Sequence, residues 1–241
     1  MIQIKWFPPS WFQIKTGKKI LYIDPAYLKT YFKDYPHKVE FSTWPDEIDG
    51  LPEKDLEKAD IILITHHHKD HCKHVTVNRL KKGNTQILAP EMCANDLNSK
   101  YTVVKPGEEY QFEEVKVRVV QAYNTPEGHS TRKIHKKDKS VGYLIQIGDK
   151  TIYHAGDTDL IPEMDLLGEV DLALIPIGGT FTMDIPEAVD AVKKIRPKTV
   201  IPMHMKEADP MKFKKLVEGQ SDTEVLPLEI GGEYQLGHSK E

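Results

Sequence analysis

The chain has 241 residues, with 33 Lys and Arg against 37 Asp and Glu, so its formal charge is −4 and a phosphate backbone is a poor candidate for its main partner. At 39% hydrophobic and 29% charged residues the composition is that of an ordinary globular chain able to bury a core, of a length suited to one generous domain or two small ones, and a single domain spanning 1–241 is expected. Two cysteines, Cys72 and Cys93, cannot build a disulfide framework or a four-cysteine zinc site, and no apolar run of about 18 residues marks a membrane span.

In chain order, Ile2–Phe7 and Trp11–Ile14 read as a hairpin. The turn signal Thr16-Gly17 leads to a further strand at Ile20–Ile23, closed by Asp24-Pro25. Met1 runs straight into the first strand, which leaves no room for a signal peptide, so a cytoplasmic protein is expected. Residues 26–58 are polar, aromatic-rich and aperiodic, and read as a long surface excursion with room for a short helix. Asp60–Thr65 is an apolar, β-branched run of the kind buried on both faces of a sheet. A helix near 74–82, a strand at Gln86–Ala89 and a short helix near 91–98 follow.

Strand-like stretches then come at Tyr101–Val104, Glu109–Phe112 and Val115–Ala122, with a polar loop from Tyr123 to Lys139. Ser140–Ile147 and Lys150–Ala155 flank the hairpin signal Gly148-Asp149. Val170–Pro176 is a strand, and Asp184 with Pro186 and Glu187 is a capping box that opens a helix to about Ile195. Lys198–Met203 is another buried strand, and Asp209-Pro210 opens a helix that stops at Gly219. Hairpins followed by alternating strands and helices point to sheets covered by helices.

Histidine is the unusual component: His66, His67, His68, His71 and His74 fall within nine residues. Thr65-His66-His67-His68-Lys69-Asp70-His71 begins where a buried strand ends, and fits the pattern H-x-H-x-D-H. Residues two apart share a side in extended backbone, so His66 and His68 can converge, while a turn carries Asp70 and His71 to a neighbouring point. Imidazoles with a carboxylate suit a borderline divalent metal such as zinc. Two more strands end in ligand-type residues, at His154-Ala155-Gly156-Asp157-Thr158-Asp159 and at Pro202-Met203-His204.

These motifs in this order resemble the metallo-β-lactamase superfamily. Ala122-Tyr123-Asn124-Thr125, Val141-Gly142-Tyr143, Ile161-Pro162-Glu163-Met164 and Pro176-Ile177-Gly178-Gly179-Thr180-Phe181-Thr182-Met183 make the chain similar to that superfamily's uncharacterised metal-dependent hydrolases. Ascorbate-6-phosphate lactonase and the N-acyl-phosphatidylethanolamine phospholipase D type are akin to this branch. The resemblance implies an α/β fold, a four-layer αββα sandwich of two similar halves. It also implies two cations, Zn2+ with Mn2+ as the alternative. His66, His68 and a mid-chain histidine would hold the first, Asp70, His71 and His204 the second, with Asp157 bridging. Asp70 and Asp157 are thereby the expected catalytic carboxylates, and Asp24 matches an aspartate lying beside the ligands. His135 is preferred to His129 as the mid-chain ligand because relatives keep a histidine at its offset, and Asn124 is the outsider. Relatives usually carry Gly-His in the first hairpin, where this chain has Pro8-Pro9.

His67 is read as facing away from the metal side, His74 as a helix-surface residue, and Cys72 and His154 as packed side chains; His37 and His238 carry no pattern. The turn Gly178-Gly179-Thr180 reads equally as an anion-binding turn or a tight one. The expected activity is hydrolysis of a phosphoester, phosphodiester or lactone bond in a small molecule by a hydroxide shared between two cations. Its rivals are a nuclease of the same fold and a non-catalytic metal-binding regulatory protein.

Overall fold

A computed structural model describes residues 1–26 and 57–237, so His37, His238 and most of the excursion read between 26 and 58 lie outside the described residues. Contacts divide the chain into two compact units, Met1–Val103 with Leu228–Glu241, and Val104–Pro227. Each contains one seven-stranded sheet.

In the first unit β1 (Ile2–Phe7) and β2 (Trp11–Lys15) form the expected hairpin, in a register that sets Trp6 opposite Phe12 and Phe7 opposite Trp11. The turn to β3 (Ile20–Ile23) is closed by Thr16 Oγ1, which accepts from the Lys18 and Lys19 amides at 3.0 and 2.8 Å. β4 (Ala59–Leu63) and β5 (Lys81–Ala89) continue the sheet in parallel, and the short strand β6 (Thr102–Val103) ends it. Helix α1 (His74–Leu80) buries Val77 and Leu80 in a core with Ile62, Ile64, Ile87, Trp11 and Tyr22. Each such side chain removed from water contributes about 1.5–3 kcal/mol. Cys72 and Cys93 belong to this core as free thiols, alongside Leu97 of α2 (Ala94–Leu97).

In the second unit β7 (Glu109–Phe112), β8 (Val115–Ala122), β9 (Ser140–Ile147) and β10 (Lys150–His154) pair antiparallel in turn. Ala122 faces Ser140, so residues 123–139 form one long loop at the end of the β8–β9 pair. β11 (Leu172–Pro176), β12 (Thr199–Met203) and β13 (Glu224–Val225) then add in parallel. Helix α3 (Ile185–Ile195) starts at Asp184, whose side chain accepts from the Glu187 amide, and buries Ala188, Val189, Ala191, Val192 and Ile195. Helix α4 (Pro210–Glu218) is capped by Asp209 in the same manner and buries Phe213 and Val217.

Three boundaries differ from the sequence expectation. β5 begins at Lys81, directly after α1: Lys81 pairs with Ala59, the register then shifts before Gln86 joins Ile61, and the largely exposed side chains in between read as loop. The helix expected near 91–98 is split into a 3-10 turn at Glu91–Cys93 and α2. The expectation contains neither β13 nor the final strand β14 (Glu233–Leu236), which pairs Leu236 with Ile2 at the outer side of β1. Among the described residues no helix is long and apolar enough to cross a membrane.

Candidate metal centre

In the first unit the histidine-rich segment leaves β4 through Ile64 and Thr65, and its geometry is set by Asp24 at the end of β3. Asp24 is fully buried and adopts φ +47°, a left-handed conformation costly for a residue with a Cβ. Its carboxylate accepts from the Thr65 amide at 2.7 Å, from Thr65 Oγ1 at 2.6 Å and from His71 Nδ1 at 2.7 Å. The Thr65 hydroxyl has one proton and donates it to Asp24, so the 2.9 Å contact with His66 Nδ1 requires that nitrogen to be the donor. His66 and His71 therefore both carry their proton on Nδ1 and present a lone pair on Nε2, the state in which imidazole binds a metal.

The His68 carbonyl accepts from the His71 and Cys72 amides at 2.9 and 2.8 Å, a turn that folds His71 back to within 4.0 Å of the His66 ring, centroid to centroid. The His68 ring lies 4.6 Å from His66, edge to face. Asp70 is half-buried within this turn. His67 stands beside His68, with ring centroids 4.7 Å apart, and His74 is exposed at the start of α1.

In the second unit Asp159 organises the loop 123–139. Fully buried, it accepts from Asn124 Nδ2 at 3.1 Å, the Thr125 amide at 2.9 Å and Ser130 Oγ at 3.0 Å. Gly128 lies so close to that carboxylate that a Cβ there would collide with it. Asn124, held by its amide nitrogen, turns its oxygen to the His135 amide at 2.9 Å and to His135 Nδ1 at 3.1 Å. The Phe181 carbonyl accepts from the same Nδ1 at 3.1 Å and from Asn124 Nδ2 at 2.9 Å. Both groups facing His135 Nδ1 are acceptors, so its proton is there too, and Nε2 faces Asp157 Oδ2 at 3.5 Å.

His204 Nε2 approaches the same Oδ2 at 3.4 Å, and all three side chains are buried. These separations exceed a good hydrogen bond. They match the roughly 3.3 Å between ligand atoms of a tetrahedral zinc site with bonds near 2.05 Å. Donor chemistry, proton placement and spacing thus fit a divalent cation in this half of the ligand set. His204 has φ +46°, and its carbonyl presses on Gly178, where any Cβ would clash.

The remaining residues weighed from the sequence lie outside this arrangement. His154 is buried and its Nδ1 accepts from the Gly156 amide at 3.2 Å. Asn124 is occupied with positioning His135 rather than approaching as a ligand. The Gly179 amide donates to the Met183 carbonyl at 3.0 Å, so that N–H is engaged within the chain. His129 sits with Asp184 and Glu187, with possible ligand atoms within 4.8 Å of one another, but its ring is half-exposed and bonded to Asp184 Oδ1 at 2.9 Å. Sequence reasoning had no part for Asp159, Thr65 or the Phe181 carbonyl. The doubled aspartate of Gly156-Asp157-Thr158-Asp159 was a usable signal for the first, whereas a main-chain acceptor leaves none.

The beta-lactamase superfamily domain matches residues 3–204 of the chain. The chain belongs to that superfamily. A UPF0173 metal-dependent hydrolase of Pyrococcus abyssi is 35% identical over 248 residues, covering 98% of this chain and all of that one. This places the chain among the superfamily's metal-dependent hydrolases. A crystal structure from Parabacteroides distasonis, assigned as a metal-dependent hydrolase, is 28% identical with a TM-score of 0.78, covering 95% of this chain and 93% of that one. The metallo-beta-lactamase fold protein YhfI of Bacillus subtilis, at 13% identity, shares the fold alone, with a TM-score of 0.70 over 98% of this chain and all of that one. The metallo-β-lactamase fold expected from the motifs is therefore the fold of this chain.

The hydrogen bond to Asp184 raises the His129 pKa above its ordinary 6.5. A proton bound more tightly in the folded state stabilises the fold below the unfolded value, and that contribution is lost as pH rises through the folded value. Side-chain NMR of the full chain should give His129 a midpoint above 6.5, with Asp184→Asn returning it towards that value while keeping the helix cap. A wild-type midpoint at or below 6.5 would contradict the pairing.

Proposed function

We propose that this hydrolase holds two divalent cations, zinc with manganese as the substitute, and cleaves a phosphoester, phosphodiester or lactone bond of a small molecule in the cytoplasm. The observation that carries the reading is His135, whose Nδ1 proton is fixed by Asn124 and Phe181 while Nε2 is aimed at the Asp157 oxygen that His204 also approaches. In this reading His66, His68 and His135 hold one cation, Asp70, His71 and His204 the other, and Asp157 serves both. His129 is left to its pairing with Asp184.

Bound divalent cations would supply a water acidified to about neutral pH and would polarise the bond under attack. The chain's own part is to present neutral imidazoles with the correct nitrogen, to offset the charge of two cations with the Asp70 and Asp157 carboxylates, and to keep the site dry. No thiol is needed as nucleophile, and none is suited to it. Cys72 and Cys93 are buried, and the hydrogen bond that ties the Cys93 S–H to Cys72, together with burial, pushes the Cys93 thiol far above its ordinary pKa. Two reduced, packed thiols also accord with a reducing compartment.

Zinc-reconstituted protein should turn over at least one member of a panel of lactones, phosphodiesters and phosphomonoesters, and EDTA should abolish that activity. Turnover that survives full metal removal would contradict the reading. Asp157→Ala should stay folded but lose at least half its metal, because two cations without a shared carboxylate repel at close range. His135→Ala should lose metal while His129→Ala keeps it, and the reverse pattern would exchange their roles.

A further inference from the structure

At the amino-terminal ends of β5 and β6 the first unit has a cavity of about 490 Å³ that the hydrolytic reading does not use. The first half of β5 supplies Lys81 and Lys82 to its wall, and the segment leading into β6 supplies Ser99 and Lys100. Asn98 ends α2 in a left-handed conformation, φ +43°, and so turns the chain back to bring Ser99 and Lys100 beside β5. The histidine-rich segment leaves the other end of these parallel strands, after Leu63, which pairs with Leu88. Lys81 precedes Leu88 by on the order of 20 Å of extended chain, so a ligand in this cavity stands apart from those histidines.

The charge on this wall has one sign. Among the described residues no carboxylate lines the cavity, in a chain whose formal charge is −4. Lys82 is answered from outside it, by Asp60 Oδ1 at 2.7 Å. Lys81 instead donates to Ser99 Oγ at 2.8 Å, and that hydroxyl gives its own proton to Asn78 Oδ1 at 3.4 Å. A neutral group thus fixes the Lys81 ammonium and leaves it two further N–H donors. Lys100 is exposed, and among the described residues neither it nor Lys81 forms an ion pair with an Asp or Glu. A cleft lined by one sign of charge focuses the potential and gathers ions of the other sign.

Two ammonium groups match the charge of about −1.5 to −2 that a phosphoryl monoester carries at neutral pH. Lysine meets phosphate as a point charge, whereas bidentate recognition of a carboxylate calls for the planar fork of an arginine, which no lining residue among those described supplies. The volume falls within the roughly 300–1,000 Å³ of small-molecule sites and is more than one phosphate fills. Ile87 and Tyr101 give the wall apolar surface, and Asn84, Gln86 and Thr102 give it amides and a hydroxyl. We propose that this cavity binds a phosphorylated small molecule, of the size of a sugar phosphate or mononucleotide, with its phosphoryl group held by Lys81 and Lys100. The site is separate from the metal centre and does not depend on how that centre is read.

The test titrates ribose 5-phosphate, AMP, ribose and inorganic phosphate into the full chain by calorimetry, once zinc-loaded and once stripped with EDTA. Stripping separates this cavity from any binding at the metal centre. At least one of ribose 5-phosphate and AMP is expected to bind both forms at millimolar concentration or below, more tightly than inorganic phosphate, and ribose not at all. Lys81→Gln and Lys100→Gln should each lower that affinity about tenfold with the melting temperature unchanged, and Lys81→Arg should keep most of it. The proposal is overturned if neither phosphorylated ligand binds, if inorganic phosphate binds as well as both, or if the folded double variant Lys81→Gln/Lys100→Gln binds as wild type does. Should the stripped chain melt below the titration temperature, the zinc-loaded comparison of wild type with the double variant decides alone.

Discussion

An imidazole can serve a metal only when it offers a lone pair at the correct nitrogen, and the free side chain has no fixed preference between its two. The arrangement of His66, His71 and His135 rests on removing that choice. The Asp24 carboxylate takes the His71 proton directly and the Thr65 hydroxyl proton as well, which obliges Thr65 to accept from His66. Asn124 and the Phe181 carbonyl do the same for His135. Burial strengthens each of these bonds and makes any alternative proton placement leave a polar atom unsatisfied.

The sheets explain why such anchors sit where they do. In the first unit the strand succession β14-β1-β2-β3-β4-β5-β6 makes three antiparallel pairings and then three parallel ones. In the second unit β7-β8-β9-β10-β11-β12-β13 repeats that succession. Asp24 follows the fourth strand of the first series, and Gly156-Asp157 follows the fourth strand of the second. Parallel strands deliver their carboxyl ends side by side, so loops leaving them can share one aspartate without long excursions. One copy spends its aspartate on holding histidines, and the other places it between two of them.

How much of this was legible in the sequence depended on whether the cause was local. The ends of β4, β10 and β12 announced themselves, because each buried apolar run gives way within a few residues to ligand-type side chains. The capping box at Asp184 and the N-cap at Asp209 were equally local. By contrast β14 is held by pairing with residues about 230 positions away, and its half-exposed Glu-Tyr-Gln-Leu has no signature of its own. The loop 123–139 is shaped by a buried carboxylate on another strand end. The choice between His129 and His135 therefore turns on Asp159 and Asn124, not on the spacing of the histidines themselves. The role of Phe181 passes through its carbonyl, which any residue would supply.

The account is tested most directly by the proton positions of the three anchored imidazoles. Long-range nitrogen-15 NMR of the histidine-labelled chain reports the tautomer of each ring before and after zinc is added. His66, His71 and His135 are expected as Nδ1–H forms throughout, with zinc shifting only their Nε2 resonances. Nε2–H forms, or rings that exchange freely between tautomers and ignore zinc, would contradict it.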